Sequence, residues 1–287
     1  MALSSPSEID CSAAARPLST SEKAILSRDG LVVPDFQLDD ALMRRIEWAL
    51  TATLAALPGF RPEDITSPHI PGWNGMPAGL AALWLQVATH PAVVDMVDSA
   101  FGGDGVILWG SQLYCKPPYV GGAVPWHQDG QLWPCWPIKP LRAVTVWLAL
   151  DDASPENGGM RYIPGSHKDR AVLPHTYAEG DDPLLAEQTE EGAIDLAAAK
   201  DDTVARGMLS IHDVFLVHGS GPNRSARRRA AFTPRYMPAS SLWDRDLPGV
   251  APAWRNAYGK RPIYLLRGDP GPNTGEKLFD LRSRTGG

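Results

Sequence analysis

Residues 125–150 read PWHQDGQLWPCWPIKPLRAVTVWLAL, and this stretch decides what kind of fold the chain adopts. Its second half, Ala143 to Leu150, is a run of apolar, β-branched and aromatic residues that follows a Pro-rich bend, the composition of a buried strand. Its first half, Pro125 to Asp129, is a shorter strand candidate that Gly130 ends. Moving outward, the same pattern recurs at Val106 to Cys115, Met160 to Pro164, Gly207 to His218 and Ala230 to Met237, with Pro, Gly and Asp clusters between the runs. Many short strands separated by turn residues predict an antiparallel sandwich or barrel.

Upstream of Gly105 the periodicity is helical. Ser19-Thr20-Ser21-Glu22 has the form of a capping box, so a short helix is expected from there to Gly30. Leu31-Val32-Val33 reads as a strand before Pro34. Asp39 caps a longer helix in which Leu42, Ile46, Leu50, Leu54 and Leu57 form one apolar stripe, ended by Pro58-Gly59. Two further helices are expected over about 78–88 and 91–101, closed by Gly102-Gly103. The fold class is therefore α+β, with the N-terminal helices packed on one face of a β core. The organisation expected is a mobile tail at 1–17 and one domain at 18–287. That domain comprises a helical part to about 104, a β core at about 105–238 and a C-terminal extension at 239–287. An acidic, Ala-rich segment at 176–206 interrupts the core and reads as an insertion or lid.

With 287 residues, 44% of them hydrophobic, the chain can bury a substantial core. A formal net charge of −6 argues against a surface built for nucleic-acid phosphates or anionic lipid. Three cysteines without a Cys-x-x-Cys pair give neither a disulfide framework nor a structural zinc site, so a reducing, cytoplasmic setting is expected. No apolar run reaches the roughly 20 residues of a membrane span.

Of the seven histidines, His69, His90, His167, His175 and His212 stand without an adjacent partner and read as surface or hydrogen-bonded residues. His127 differs because Asp129 follows two positions later, and on a strand such residues point to the same side. A third ligand must come from elsewhere, and His218, ending the apolar run Asp213 to His218 before Gly219, is the candidate. Two histidines and a carboxylate with open positions are the ligand set of iron(II) oxygenases. A catalytic zinc hydrolase or isomerase on a cupin-like barrel fits the same three residues, since three ligands and a water are also a zinc pattern. So does a metal-binding scaffold without enzymatic activity.

Five strings in order carry a resemblance. They are Trp126-His127-Gln128-Asp129-Gly130, Val144-Thr145-Val146-Trp147-Leu148-Ala149-Leu150-Asp151-Asp152, Pro155-Glu156-Asn157-Gly158-Gly159, Ile163-Pro164-Gly165-Ser166-His167 and His218-Gly219-Ser220-Gly221-Pro222-Asn223. Over about Thr20 to Met237 the chain resembles the phytanoyl-CoA dioxygenase family of 2-oxoglutarate oxygenases. The resemblance implies a double-stranded β-helix, a jelly-roll type with cupin-like architecture, and iron(II) held by His127, Asp129 and His218. It also implies 2-oxoglutarate as cosubstrate and dioxygen as oxidant. Arg229, eleven positions after the second histidine, would grip the distal carboxylate of 2-oxoglutarate, with Arg227 as a rival of the same strand parity. A guanidinium fork suits that task because it binds a carboxylate bidentately. Ser220 resembles the family hydroxyl that assists; its bland reading is a turn residue. Related halogenases replace the carboxylate with a small residue, so Asp129 points to hydroxylation, while desaturation, ring formation or endoperoxide chemistry would use the same ligands.

The residues themselves suggest further contacts. Gln112, Tyr114 and Lys116 share a strand face; the first two are candidates for cosubstrate or substrate, and Lys116 is placed at the rim. Arg224 and Arg228 read as solvated. Ten tryptophans are many for this length, and Trp133, Trp136 and Trp147 are candidates for a pocket wall, with barrel core as the bland alternative. The expected partner is a small or medium-sized metabolite, with no nucleic acid or membrane, and the sequence is silent on oligomeric state.

Overall fold

The computed structural model describes residues 15–132, 137–178, 184–185, 187–247 and 252–285. Its first helix, α1 (Thr20–Asp29), begins at the expected capping box: Ser19 Oγ accepts the Glu22 amide at 3.2 Å and the Glu22 carboxylate accepts the Ser19 amide at 2.7 Å. Glu22 also takes the Arg16 guanidinium at 2.7 Å, and the Arg16 amide donates to Asp95 at 2.8 Å. Arg16 is thus tied to the folded body, a correction to the tail expected through residue 17; residues 1–14 lie outside the described ones. Gly30 closes α1 with φ of 82°, and a Cβ there would meet the His167 ring at 2.5 Å. The helix α2 (Asp40–Ala56), capped by Asp39, buries Leu42, Ile46 and Leu50, while α3 (Ala78–Ala88) and α4 (Pro91–Ala100) add Trp84, Val94 and Met96 to the same core. Among the described residues no single helix is long and apolar enough to cross a membrane.

The strands of the two larger sheets are β1 (Leu31–Val32), β2 (Ile65–Thr66), β3 (Val106–Gly110), β4 (Gln112–Lys116), β5 (Val124–His127), β6 (Val144–Ala149) and β7 (Met160–Tyr162). There follow β8 (Lys200–Asp202), β9 (Leu209–Asp213), β10 (His218–Ser220), β11 (Arg229–Phe232), β12 (Arg235–Met237), β13 (Ile263–Arg267) and β14 (Leu278–Asp280). They form a major and a minor sheet. In the major sheet β6 lies between β9 on one side and the broken strand β11–β12 on the other, and the broken strand β3–β4 pairs with β11–β12. β1 adds to β9, β2 to β4, and β13 with β14 to β3. The minor sheet has the order β8-β7-β10-β5.

The runs of sequence that read as single strands are in several places two. Gly207 to His218 divides into β9, in the major sheet, and β10, in the minor one, so His218 opens a strand instead of ending one. Pro234 breaks Ala230 to Met237, because proline has no amide to give the ladder. Within the stretch read as an insertion, Lys200–Asp202 is β8, a full member of the minor sheet. The C-terminal extension likewise belongs to the core: Ile263, Tyr264, Leu265 and Leu266 of β13 are buried.

Candidate active site

Both histidine ligands come from the minor sheet. β5 and β10 run antiparallel with His218 opposite His127, which sets their ring centroids 4.2 Å apart. Each ring is fixed through Nδ1 to the carbonyl two residues back, His127 to Pro125 at 2.8 Å and His218 to Leu216 at 3.0 Å. A carbonyl only accepts, so Nδ1 carries the proton in both rings and each Nε2 presents a lone pair. Asp129 is not on the strand, as the alternation argument had it. It opens a one-turn helix, Asp129–Leu132, directly after β5, and its carboxylate still reaches the two imidazoles. One ligand atom from each of His127, Asp129 and His218 lies within 4.8 Å of the others, and all three residues are buried. Two imidazole lone pairs and a carboxylate, each braced from behind, fit a divalent transition metal.

Supporting groups come from the major sheet. Thr145 on β6 donates its hydroxyl to Asp129 Oδ2, and His212 Nε2 on β9 lies 3.5 Å from the same oxygen. The His212 ring also packs 4.6 Å from that of His218. His212 is therefore a buried neighbour of the ligand set, which corrects its reading as an incidental residue. Burial would push the Asp129 carboxyl up, but His212 beside it and the charge of Arg235 outweigh this and hold it well below the usual carboxylate range. Burial pushes His127 and His218 down, keeping both rings neutral and able to ligate.

The ligands open onto a cavity lined by both sheets. Arg229 enters it from β11. Its Nε donates to the Gly158 carbonyl at 3.0 Å, and its guanidinium lies 5.6 Å from the centre of the Trp147 ring. Gly158 has φ of 78°, and a Cβ there would come within 2.8 Å of the Gly221 carbonyl, so glycine is needed where this carbonyl turns toward Arg229. Burial pushes the Arg229 pKa down to about 10, which leaves it charged near neutrality. The rival Arg227 is exposed and faces Glu156 at 3.5 Å. Arg228, read as solvated, is half-buried and paired with Asp151 and Glu47, each at 2.8 Å.

Ser220, Tyr114 and Trp147 line the cavity, and Gln112 does not. The Gln112 amide is held by Asp64 at 2.6 Å and by Arg235 at 3.0 Å. Lys116, placed at the rim by the sequence, is 1% exposed; its Nζ donates to Ser220 Oγ at 2.7 Å and the Gly221 carbonyl at 2.6 Å. Burial, aided by the Arg229 charge, pushes the Lys116 amine down to about 6. Trp133 and Trp136 lie outside the described residues. The lining residues that were missed include three with chemistry to offer, Thr145, His212 and Arg235. A usable signal existed for two of them, since Thr145 shares strand parity with Trp147, and Arg235 shares it with Arg229.

Comparison with known proteins agrees with this site. The family profile described as Phytanoyl-CoA dioxygenase (PhyH) matches residues 27–231, well over half of the chain. A curated relative in Stutzerimonas stutzeri, named "Probable alpha-ketoglutarate-dependent hypophosphite dioxygenase", is 33% identical over 153 residues, 53% of this chain and 51% of that protein. The chain thus spans about half the length of that relative. The ectoine dioxygenase of Sphingopyxis alaskensis is 26% identical over 275 residues, 88% of this chain and 85% of the relative. Among solved structures, the non-heme monooxygenase ThoJ in its apo form is similar with a TM-score of 0.66 and 26% identity, covering 90% of this chain and 86% of its own.

Proposed function

The chain belongs to the phytanoyl-CoA dioxygenase family, and from that premise we propose that it is an Fe(II)- and 2-oxoglutarate-dependent dioxygenase. The reaction we assign is hydroxylation of an unactivated C–H bond in a small or medium-sized metabolite. The observation that carries this reading is the meeting, in one cavity, of the His127–Asp129–His218 group with Arg229, a buried cation that has no carboxylate in ion-pair distance among the described residues. A buried charge without a counter-ion costs several kcal/mol, roughly, and an anionic cosubstrate supplies the missing partner. We read the two sheets that enclose the cavity as the layers of a double-stranded β-helix, which places both ligand histidines on the shorter layer.

In this reading His127, Asp129 and His218 hold the iron. With 2-oxoglutarate and dioxygen it supplies oxidative decarboxylation to succinate and carbon dioxide, coupled to oxidation of the substrate. The remaining work falls to the chain's own side chains. Arg229, beside the Trp147 ring, takes the distal carboxylate of the cosubstrate, and Ser220, held by Lys116, offers that carboxylate a hydroxyl. Thr145 fixes the Asp129 carboxylate by a hydrogen bond, and His212 packs beside the same oxygen. The names of relatives, a hypophosphite and an ectoine dioxygenase, are consistent with small substrates.

The test is formation of succinate from 2-oxoglutarate, followed across a panel of candidate metabolites with Fe(II) and air. Stoichiometric succinate and hydroxylated product, both lost on Asp129→Ala, is the expected result. Product formed without 2-oxoglutarate, or supported equally by Zn(II), would contradict the assignment.

A further inference from the structure

The cavity holds a second, half-buried arginine that cosubstrate binding does not use. Arg235 lines it from β12, directly across from Thr145 on β6, whose hydroxyl holds Asp129. Arg235 therefore stands on the metal side of the cavity, whereas Arg229 stands by Trp147 and Gly158. Its hydrogen-bond partners are both neutral: Nη2 donates to Gln112 Oε1 at 3.0 Å and to the Tyr114 hydroxyl at 3.2 Å. Its Nε is buried with no partner. Among the described residues no carboxylate lies within ion-pair distance of it. Asp129 and Asp64 are the carboxylates that feel its charge, and Asp64 is engaged by the Gln112 amide.

A guanidinium offers five N–H groups, and the two contacts at Nη2 leave Nη1 to serve a ligand. The Tyr114 hydroxyl accepts from Arg235, so its own proton is free to donate, and Tyr114 lines the same cavity. A divalent metal on Asp129 would take up one of the two carboxylate charges, leaving Arg235 with less compensation. An anion beside it restores the balance. We propose that Arg235, with Tyr114, is a specificity-determining site for an oxyanion, a carboxylate or phosphonate, on the primary substrate, so that the enzyme acts on a small acid. This rests on the assignment of 2-oxoglutarate to Arg229, and it gives the cavity two cations for two different anions.

The probes are the straight-chain monocarboxylates from acetate to hexanoate, the phenyl-substituted acids up to 4-phenylbutyrate, the corresponding alkylphosphonates, and the primary amide of each carboxylate. They are titrated calorimetrically into protein loaded anaerobically with Fe(II) and saturating 2-oxoglutarate. Loading is measured first, and a wild-type protein that fails to bind 2-oxoglutarate would defeat the proposed function itself, a result separate from those that follow. The inference expects at least one acid to bind at least tenfold more tightly than its amide without displacing 2-oxoglutarate. Arg235→Gln should weaken that acid at least tenfold while changing 2-oxoglutarate affinity less than twofold, and Arg235→Lys should recover part of the loss. Acids and amides binding alike, no acid binding, or acids binding only by displacing 2-oxoglutarate would each overturn it. So would loss of 2-oxoglutarate affinity in Arg235→Gln, which would make Arg235 a cosubstrate ligand. A fall in Fe(II) affinity alone would make it a counter-charge for Asp129. If Arg235→Gln does not fold, the comparison of acid with amide on the wild-type protein still decides.

Discussion

The minor and major sheets make unequal contributions to the same cavity. The minor sheet is four short strands, and at one edge of it His127 and His218 face each other across one register pair. The major sheet supplies no metal ligand among the described residues, but it carries Arg229, Arg235, Thr145, His212 and Tyr114 into the cavity. Ligation needs three atoms at fixed short distances, which one antiparallel pair and the turn after it provide. Recognition of anions needs cations held apart from the metal and from each other, which a wide twisted sheet provides. The division implies that changes in the minor-sheet group destroy chemistry, and that changes in the major sheet alter affinity.

Asp129→Ala should have the largest effect, reducing both Fe(II) retention and succinate formation to background in a metal-binding and turnover assay. Retained turnover would mean that the ligand group has been misplaced. Arg229→Ala should weaken 2-oxoglutarate by about 2 kcal/mol or more, roughly 30-fold, with a smaller change in the turnover number at saturating cosubstrate. An unchanged KM for 2-oxoglutarate would break the assignment of recognition to the major sheet. His212→Asn should cost about tenfold in Fe(II) affinity, as loss of a group behind a ligand does, while leaving 2-oxoglutarate binding to the loaded protein intact. An effect on cosubstrate but not on metal would mean that His212 does not support the Asp129 carboxylate.

The smallest effects belong to the helical layer, remote from both sheets' chemistry. Ser19→Ala removes the cap of α1 and should cost about 1 kcal/mol of stability without altering turnover. The Arg16 guanidinium, helped by the Ser19 and Asp35 amides, lowers Glu22 from 4.5 to about 2. A folded-state pKa below the unfolded one stabilises fully above about 4.5, and this contribution fades as pH falls toward about 2. Glu22→Gln should therefore flatten the acid limb of the melting curve and change little at neutral pH.

Much of this was legible in the chain. The capping box, the apolar stripe of α2 and the ligand pair at His127 and Asp129 are local patterns, set by neighbours within a few residues, and the structure keeps them. What was not legible depended on pairing across the fold. Whether Val214 to Val217 continues a strand or links two sheets cannot be decided from composition, because both alternatives bury those residues. His212 has no informative neighbour in sequence; its place beside Asp129 follows from β9 pairing with β6. Lys116 was misplaced at the rim because proline follows it, yet the turn beyond carries the chain over it and buries the amine against Ser220. Arg235 shares the parity of Arg229, but a Pro between them masks the continuity of the face.

The central claim, one ferrous ion and one 2-oxoglutarate held together in this cavity, is tested most directly by anaerobic titration followed in the visible spectrum. A weak charge-transfer absorption should appear only when Fe(II) and 2-oxoglutarate are both present, should vanish in Asp129→Ala, and should need higher 2-oxoglutarate in Arg229→Ala. Absence of the band in the wild-type protein with both components present, or its persistence in Asp129→Ala, would contradict the account.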